Sequence, residues 1–186
     1  MSFLKLINKN KIFKQNSKIL DIGTGGFCGE NTLVHYMNII PNENIYCIEY
    51  NESSYKKLFD KYKHTKINMS NDDFFLLNDD IKFDLIICDF DSGIFMNRFD
   101  DIIKKVKSLL SKDGYIILMA TGNLDNVTTL TSNKESINLI KHIYESIWKT
   151  NNITDAVIQT KLNNDFKILE SFDHTNFTRY ILIQKL

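Results

Sequence analysis

Five acidic side chains and one glycine-rich turn carry most of the chemistry that this sequence offers. Asp21 stands just before Gly23-Thr24-Gly25-Gly26, Glu49, Asp72 and Asp89 each follow a short apolar run, and Asp91 lies two residues beyond the last of them. Glycines in such a turn permit positive φ and let a ligand approach the backbone, while the next helix start presents unpaired N–H groups. A nucleotide-like ligand fits those features. A carboxylate at the position of Glu49 can accept from both hydroxyls of a ribose, and Asp72, beside Asn71, is placed to accept from an adenine amino group. Each acid taken singly is equally an ordinary cap or turn residue. Their joint placement at successive strand ends is what points to a site. Asp73, Asp79 and Asp80 read as surface charges.

The elements that must position these residues alternate in type. Ile19, Leu20 and Ile22 form a buried strand, and Leu33, Val34, Met37 and Ile40 recur at helical spacing until Pro41. Ile45 to Glu49 reads as a second strand. Asn51-Glu52-Ser53-Ser54 opens a helix with Tyr55, Leu58, Phe59 and Tyr62 on its apolar side, and a short strand follows around Lys66 to Met69. Phe83 to Phe90 is the clearest central strand, trailed by a helix with Phe99, Ile102, Ile103, Val106, Leu109 and Leu110 inward and Lys112-Asp113-Gly114 at its end. Tyr115 to Ala120 is the fifth strand. Ile137 to Trp148 carries a long helical pattern, and Phe166 to Ser171 pairs antiparallel with Arg179 to Lys185 across a loop too short for a crossover. Residues 3 to 14 read as a short amphipathic helix, Thr121 to Asn133 as a polar loop, and Asn151 to Asp165 gives no clear pattern. The alternation predicts an α/β fold, an open, mostly parallel sheet closed by one reversed strand.

Length and composition narrow the class. The 186 residues, 43% of them hydrophobic, suit a single well-packed domain. Lysine plus arginine and aspartate plus glutamate both total 23, so no net field draws the chain to nucleic acid or to an anionic membrane. Lysine and asparagine interrupt the apolar residues at the N-terminus, which reads as neither a signal peptide nor a membrane span, and the expected location is cytoplasmic. Cys28, Cys47 and Cys88 lack zinc-type spacing and read as reduced thiols in a core.

With Asp21-Ile22-Gly23-Thr24-Gly25-Gly26, Glu49, Asn71-Asp72 and Phe83-Asp84-Leu85-Ile86-Ile87-Cys88-Asp89 in register, the chain resembles the class I S-adenosylmethionine-dependent methyltransferases over about Ile19 to Ala120. The resemblance implies a doubly wound, mostly parallel seven-stranded sheet with a reversed C-terminal strand and helices on both faces. Residues 1–186 would form one Rossmann-like domain: an N-terminal segment 1–17, a cofactor-binding core 18–120, a helix and variable loops 121–165, and a strand pair 166–186. S-adenosylmethionine is the implied cofactor. Asp21 with the backbone at Gly23 and Gly25 would hold its methionine end within the turn that Thr24 and Gly26 complete. Glu49 would take the ribose hydroxyls, Asp72 beside Asn71 the adenine, and Asp89 would lie beside the transferred methyl. Phe27 stands where many members have a third glycine. Tyr50, like Phe27, is placed to face the cofactor cation or its adenine, although an aromatic there is more often a packing residue.

Aligning acceptor, methyl and sulfur supplies most of the rate in such a reaction. Asp89 or Asp91 is the best-placed base for an acceptor that must lose a proton, and a plain cofactor-orienting role is the alternative. No Asn-Pro-Pro-Tyr or Asp-Pro-Pro-Tyr segment follows Asp89, which disfavours amino methylation of bases or glutamine. The Asp-x-Asp at 89 and 91 is similar to metal-dependent catechol-type O-methyltransferases, but two carboxylates are too few to fix an octahedral ion, so no metal is expected. His35, His64, His142 and His174 read as solvated or satisfied structural residues, and Cys28 has no paired base. The expected function is methyl transfer to an unidentified acceptor, more readily a small molecule than DNA or RNA. The alternatives are an aminopropyltransferase related to spermidine synthase and a non-catalytic cofactor-binding subunit that activates a partner. A nicotinamide dehydrogenase would want a glycine at the place of Cys28 and an apolar residue at that of Asp21.

Overall fold

Ile19–Ile22 (β1) is buried along its whole length, as a strand with neighbours on both edges and helices on both faces must be. The computed structural model describes residues 4–24, 29–89, 97–129, 131–173 and 178–186. β1 pairs in parallel with Ile45–Ile48 (β2) and with Phe83–Cys88 (β4); Asn68–Ser70 (β3) lies parallel to β2, and Leu110–Thr121 (β5) parallel to β4. Thr178–Lys185 (β7) then runs antiparallel both to β5 and to Phe166–Asp173 (β6). The seven strands follow the order β3-β2-β1-β4-β5-β7-β6. This is the mostly parallel sheet with a reversed C-terminal strand that the alternating pattern and the resemblance predict.

Period-two alternation along the strands divides the core in two. Leu20, Ile22, Ile86, Cys88, Ile116 and Leu118 pack with Phe99, Ile102, Val106 and Leu109 of α4 (Phe99–Leu109), and with Trp148, Ile158 and Leu162 beyond. On the opposite face Ile19, Ile45, Cys47, Leu85, Ile87 and Ile117 meet Leu6 and Ile7 of α1 (Leu4–Lys9), Leu33 and Tyr36 of α2 (Gly29–Met37), and Leu58 and Tyr62 of α3 (Glu52–Tyr62). Asp21 shares the parity of Ile19, so its side chain is carried to the α2 face. Cys47 and Cys88 are buried free thiols, as expected of core cysteines, whereas Cys28 lies outside the described residues.

Several elements differ from the sequence reading. Phe59, expected inward, is exposed and stacks on Tyr55, because α3 has too few apolar positions to bury a second row. α4 ends at Leu109 rather than at Gly114: Leu110 is already extended and pairs with Phe83, and the turn is made by Asp113 at φ 63°. The stretch Thr121 to Asn133, expected as a loop, holds α5 (Leu124–Thr128), which Asn123 caps through the Asp125 N–H and which buries Leu124 and Val127. The long helix is Lys134–His142 (α6) continued by a π-helical segment, Ile143–Trp148, that ends at Lys149 in the left-handed region. Asn151 to Asp165 contains α7 (Asp155–Leu162), capped by Thr154. β3 starts two residues late, at Asn68.

Two side chains secure the sheet margins. Asp84 accepts from the Lys18 N–H (2.9 Å) and from the Ser111 hydroxyl (2.9 Å), tying β1, β4 and β5 together at their starts. Replacing Asp84 by alanine removes both bonds at a partly solvated position and should lower stability by about 1–2 kcal/mol, measured as a smaller unfolding free energy in urea with unchanged slope. On the β6 margin the Gln159 amide donates to the Phe166 carbonyl (2.8 Å) and accepts from the Ile168 N–H (2.9 Å), bonds that a further strand would otherwise make.

Candidate functional site

The carboxyl ends of β1, β2 and β4 converge on a turn that only glycine can make. Gly23 has φ +86°, and a Cβ there would stand 2.3 Å from the Asp89 carbonyl oxygen. Its N–H donates to the Ile48 carbonyl (2.8 Å), the Asp89 N–H donates to the Ile22 carbonyl (3.1 Å), and the Glu49 N–H to that of Ser70 (3.1 Å). The backbone therefore carries the ladders of β1, β2 and β4 one residue past the strands and fixes where Glu49 and Asp89 emerge. Above it lies a cavity of about 560 Å³. Its rim on the β1–β2 side is Gly23, Glu49 and Tyr50; Asp72, Asp73 and Phe75 close it beyond β3, and Asp89, Arg98 and Ile102 beyond β4. The volume is in the range of small-molecule sites, roughly 300–1,000 Å³.

The individual acids are held differently. Glu49 is 8% exposed, and its Oε1 accepts from the Asn51 N–H (2.7 Å), so the start of α3 orients the carboxylate. Asn71 is used structurally: its amide donates to the Glu49 carbonyl (2.8 Å) and the Tyr50 carbonyl (3.2 Å), strapping the end of β3 to the end of β2. Asp72 accepts from the Ser70 hydroxyl (2.5 Å), which in turn accepts from the Asp72 N–H (2.9 Å). Tyr50 is 80% exposed at the mouth and serves no packing role in the core. Thr24 is buried and donates to the Asp21 carbonyl (2.9 Å), bracing the turn.

Asp21, two residues before Gly23, is 3% exposed and does not line the cavity itself. Burial, reinforced by the negative field of Asp89 and more weakly of Glu49, raises its pKa to about 7, against the opposing influence of the Thr24 and Tyr36 hydroxyls. The Tyr36 hydroxyl faces this carboxyl from α2, is itself buried, and makes no hydrogen bond of regular geometry among the described residues. Burial also pushes the Cys47 and Cys88 thiols well up, so neither supplies a thiolate.

Of the residues singled out in the sequence, Gly23, Glu49, Tyr50, Asp72 and Asp89 are brought to one cavity; Asp21 and Thr24 are buried at the end of β1 without lining it, and Asn71 ties the ends of β2 and β3 together. Gly25, Gly26 and Asp91 lie outside the described residues. Among the cavity residues that the sequence reading missed are Asp73, Phe74, Phe75 and Arg98. Asp73, read as a surface charge, is exposed but lines the mouth and caps the turn Phe74–Leu76 through the Phe75 N–H (3.0 Å). Phe75 stands edge-on to buried Phe74, and the Arg98 guanidinium lies 4.0 Å from the Phe75 ring centre. The Phe74-Phe75 pair directly after two aspartates was the available signal. His35 departs from expectation too, with its Nε2 buried and without a partner among the described residues. No group of three or more metal-ligating side chains occurs among the described residues.

Beyond β5 the same end of the sheet is lined by a fixed polar frame. The Tyr144 hydroxyl bonds Thr121 Oγ1 (3.2 Å) and the Gly122 carbonyl (3.2 Å), and Arg179 pairs with Asp155 (3.2 Å) while donating to the Ile153 carbonyl. Ser171 donates to the other Asp155 oxygen. These bonds anchor α7 and the segment after α5 to β7.

Comparison with known proteins follows the same outline. No protein-family model matches the sequence, and no curated protein matches it. Solved structures do. An S-adenosylmethionine-dependent methyltransferase from Clostridium acetobutylicum ATCC 824 superposes with a TM-score of 0.66 at 12% identity, over 98% of this chain and 89% of the other. Magnesium protoporphyrin IX methyltransferase from Synechocystis PCC 6803, solved with bound S-adenosylmethionine, gives 0.63 at 13% identity over 98% and 76%. TrmN from Thermus thermophilus gives 0.64 at 13% identity, with this chain spanning 48% of its length. Together with the strand order and the single reversed strand, these likenesses give the chain the fold of the class I S-adenosylmethionine-dependent methyltransferases.

Proposed function

We propose that this chain is an S-adenosylmethionine-dependent methyltransferase acting on a small-molecule acceptor. The observation that carries the reading is the crest itself: backbone that a Cβ would obstruct at Gly23, beside Glu49, Asp72 and Asp89 around one cavity, with Asp21 buried at the end of β1. That donor set fits the cofactor. A cavity rimmed by carboxylates favours a ligand bearing ammonium and sulfonium charges, Glu49 suits a vicinal diol, and Phe75 offers an apolar wall to a purine near Asp72. When bound, the cofactor supplies a methyl group activated by its sulfonium.

The protein's part is placement and proton handling. Asp21 and the backbone at Gly23 and Gly25 would hold the methionine end; Glu49 would hold the ribose and Asp72 the adenine amino group. Tyr50 closes the mouth. Asp89 orients the reacting end, and either it or Asp91 takes the acceptor's proton if the acceptor ionises. The 186 residues act as one domain in which 18–120 holds the cofactor and 121–165 shapes the acceptor side. A small acceptor is supported by the balanced charge of the chain and by the porphyrin substrate named for the Synechocystis neighbour. No described helix is long and apolar enough to cross a membrane, and we place the protein in the cytoplasm.

The test is thermal unfolding with S-adenosylmethionine, decarboxylated S-adenosylmethionine and NAD in parallel. A ligand at about one hundred times its Kd stabilises by about 2.7 kcal/mol, a rise of roughly 5–10 °C for a chain of this size. S-adenosylmethionine should give that rise. A larger shift with the decarboxylated form would make the chain an aminopropyltransferase, and a shift with NAD alone would overturn the reading.

A further inference from the structure

Tyr36 and Asp21 form a buried acid–phenol pair beside the strand end at Gly23, which lines the proposed cofactor site. Odd-numbered residues of β1 face α2, so Asp21 is carried toward Tyr36 and away from the layer of α4. Both residues are buried, and the phenol hydroxyl faces the carboxyl with no regular hydrogen bond of its own among the described residues. Among the described residues, the other titratable groups facing Asp21 are Asp89 from the end of β4, Glu49 from the end of β2, and the Cys47 and Cys88 thiols of those strands. None of them is a cation. A carboxylate in such surroundings is disfavoured until a positive charge arrives from outside.

Resting on the cofactor reading above, we propose that Tyr36 is a positioning residue whose hydroxyl steadies the Asp21 carboxylate, so that arrival of the cofactor's ammonium group drives one proton out of the site. The Asp21 O–H bond breaks with its electron pair left on the carboxylate, and the proton passes to the buffer while the ammonium keeps its own. Asp21 titrates near 7 in the ligand-free protein, which places the exchange at neutral pH. The sign follows: below that pH binding must expel the proton first and is weaker.

Isothermal calorimetry of the full chain with S-adenosylmethionine, run at pH 6 in buffers of different ionisation enthalpy, counts the protons. Close to one proton should be released per cofactor bound. Affinity should rise about tenfold per pH unit between pH 5 and 6.5 and level off near pH 7, below the range where the cofactor's own amine titrates. Tyr36→Phe keeps the ring and removes only the hydroxyl. Its affinity at pH 7 should fall about tenfold, the loss of a hydrogen bond to a charged group, and the levelling-off should move to higher pH with no drop in melting temperature. A purely structural role for Tyr36 would lower the melting temperature and leave the bend in place, overturning its assignment. Binding at pH 6 without proton release overturns the linkage, whereas no binding at any pH overturns the cofactor reading beneath it.

Discussion

Gly23→Ala should leave a protein that no longer binds S-adenosylmethionine and that melts roughly 6–12 °C lower. Two costs add at this position. The backbone sits at φ +86°, where an L side chain is strained by about 1–2 kcal/mol, and the new methyl would lie 2.3 Å from the Asp89 carbonyl oxygen. That oxygen belongs to backbone held by the Asp89 N–H bond to Ile22, so the contact is relieved only by spreading β1 from β4. A total of about 3 kcal/mol corresponds to the stated fall in melting temperature for a chain of this length. Spreading the strands also moves Glu49 and Asp89 apart, which is why binding should be lost even below the melting point. Calorimetry at 15 °C, where the variant remains folded, separates the two effects; retained affinity there would show that the crest is not the binding site.

The second large effect concerns pH. Asp21 has a folded-state pKa near 7 against 3.8 for an ordinary aspartate, so between those values the native protein holds a proton that the unfolded chain has released. Rising pH then favours unfolding, and the Asp21 contribution to stability, complete below pH 4, is lost by about pH 7. The loss is on the order of 4 kcal/mol at 1.36 kcal/mol per pKa unit. Asp79 and Glu170, whose carboxyls are held low chiefly by hydrogen bonds from Lys105 and Lys9, act in the opposite direction and only toward acid pH. Subtracting the urea stability of Asp21→Asn from that of the unaltered protein at each pH isolates the Asp21 contribution. Above pH 7 the asparagine variant should be the more stable of the two by a few kcal/mol, while binding S-adenosylmethionine far more weakly. Parallel pH profiles would show that Asp21 is ionised throughout.

Much of this architecture was readable in the chain because its central strands are continuous apolar runs. Phe83 to Cys88 has no rival as a buried parallel strand, and the phase of Phe99, Ile102, Val106 and Leu109 fixes which face of α4 turns inward. The acids at the ends of those strands were legible for the same reason: once a strand is placed, so is the residue that leaves it. What escaped was built by tertiary approach. Phe75 and Arg98 lie far apart in sequence and meet only because the turn after β3 folds against the start of α4. Tyr36 carried no signal of its own in the sequence, and its relation to Asp21 depends on how α2 lies on the sheet. α5 was hidden because Asn123, Asp125, Asn126 and Thr128 give a polar composition to a helix that needs only Leu124 and Val127 to dock. Asp73 and Asp72 differ by one step, and local geometry alone decides that the first caps a turn while the second meets Ser70.

The Gln159 amide on the β6 margin has a bearing on how the protein behaves at high concentration. An open eight-residue strand presents a template on which another molecule can lay its own backbone, the first step toward fibrils and precipitates. By occupying the Phe166 carbonyl and the Ile168 N–H, one side chain makes the start of that template unreadable to any newcomer. The register shift between Ile168 and Glu170 spoils the regularity of what remains. Protection against clumping thus falls to a glutamine that has no place in the lining of the candidate cavity.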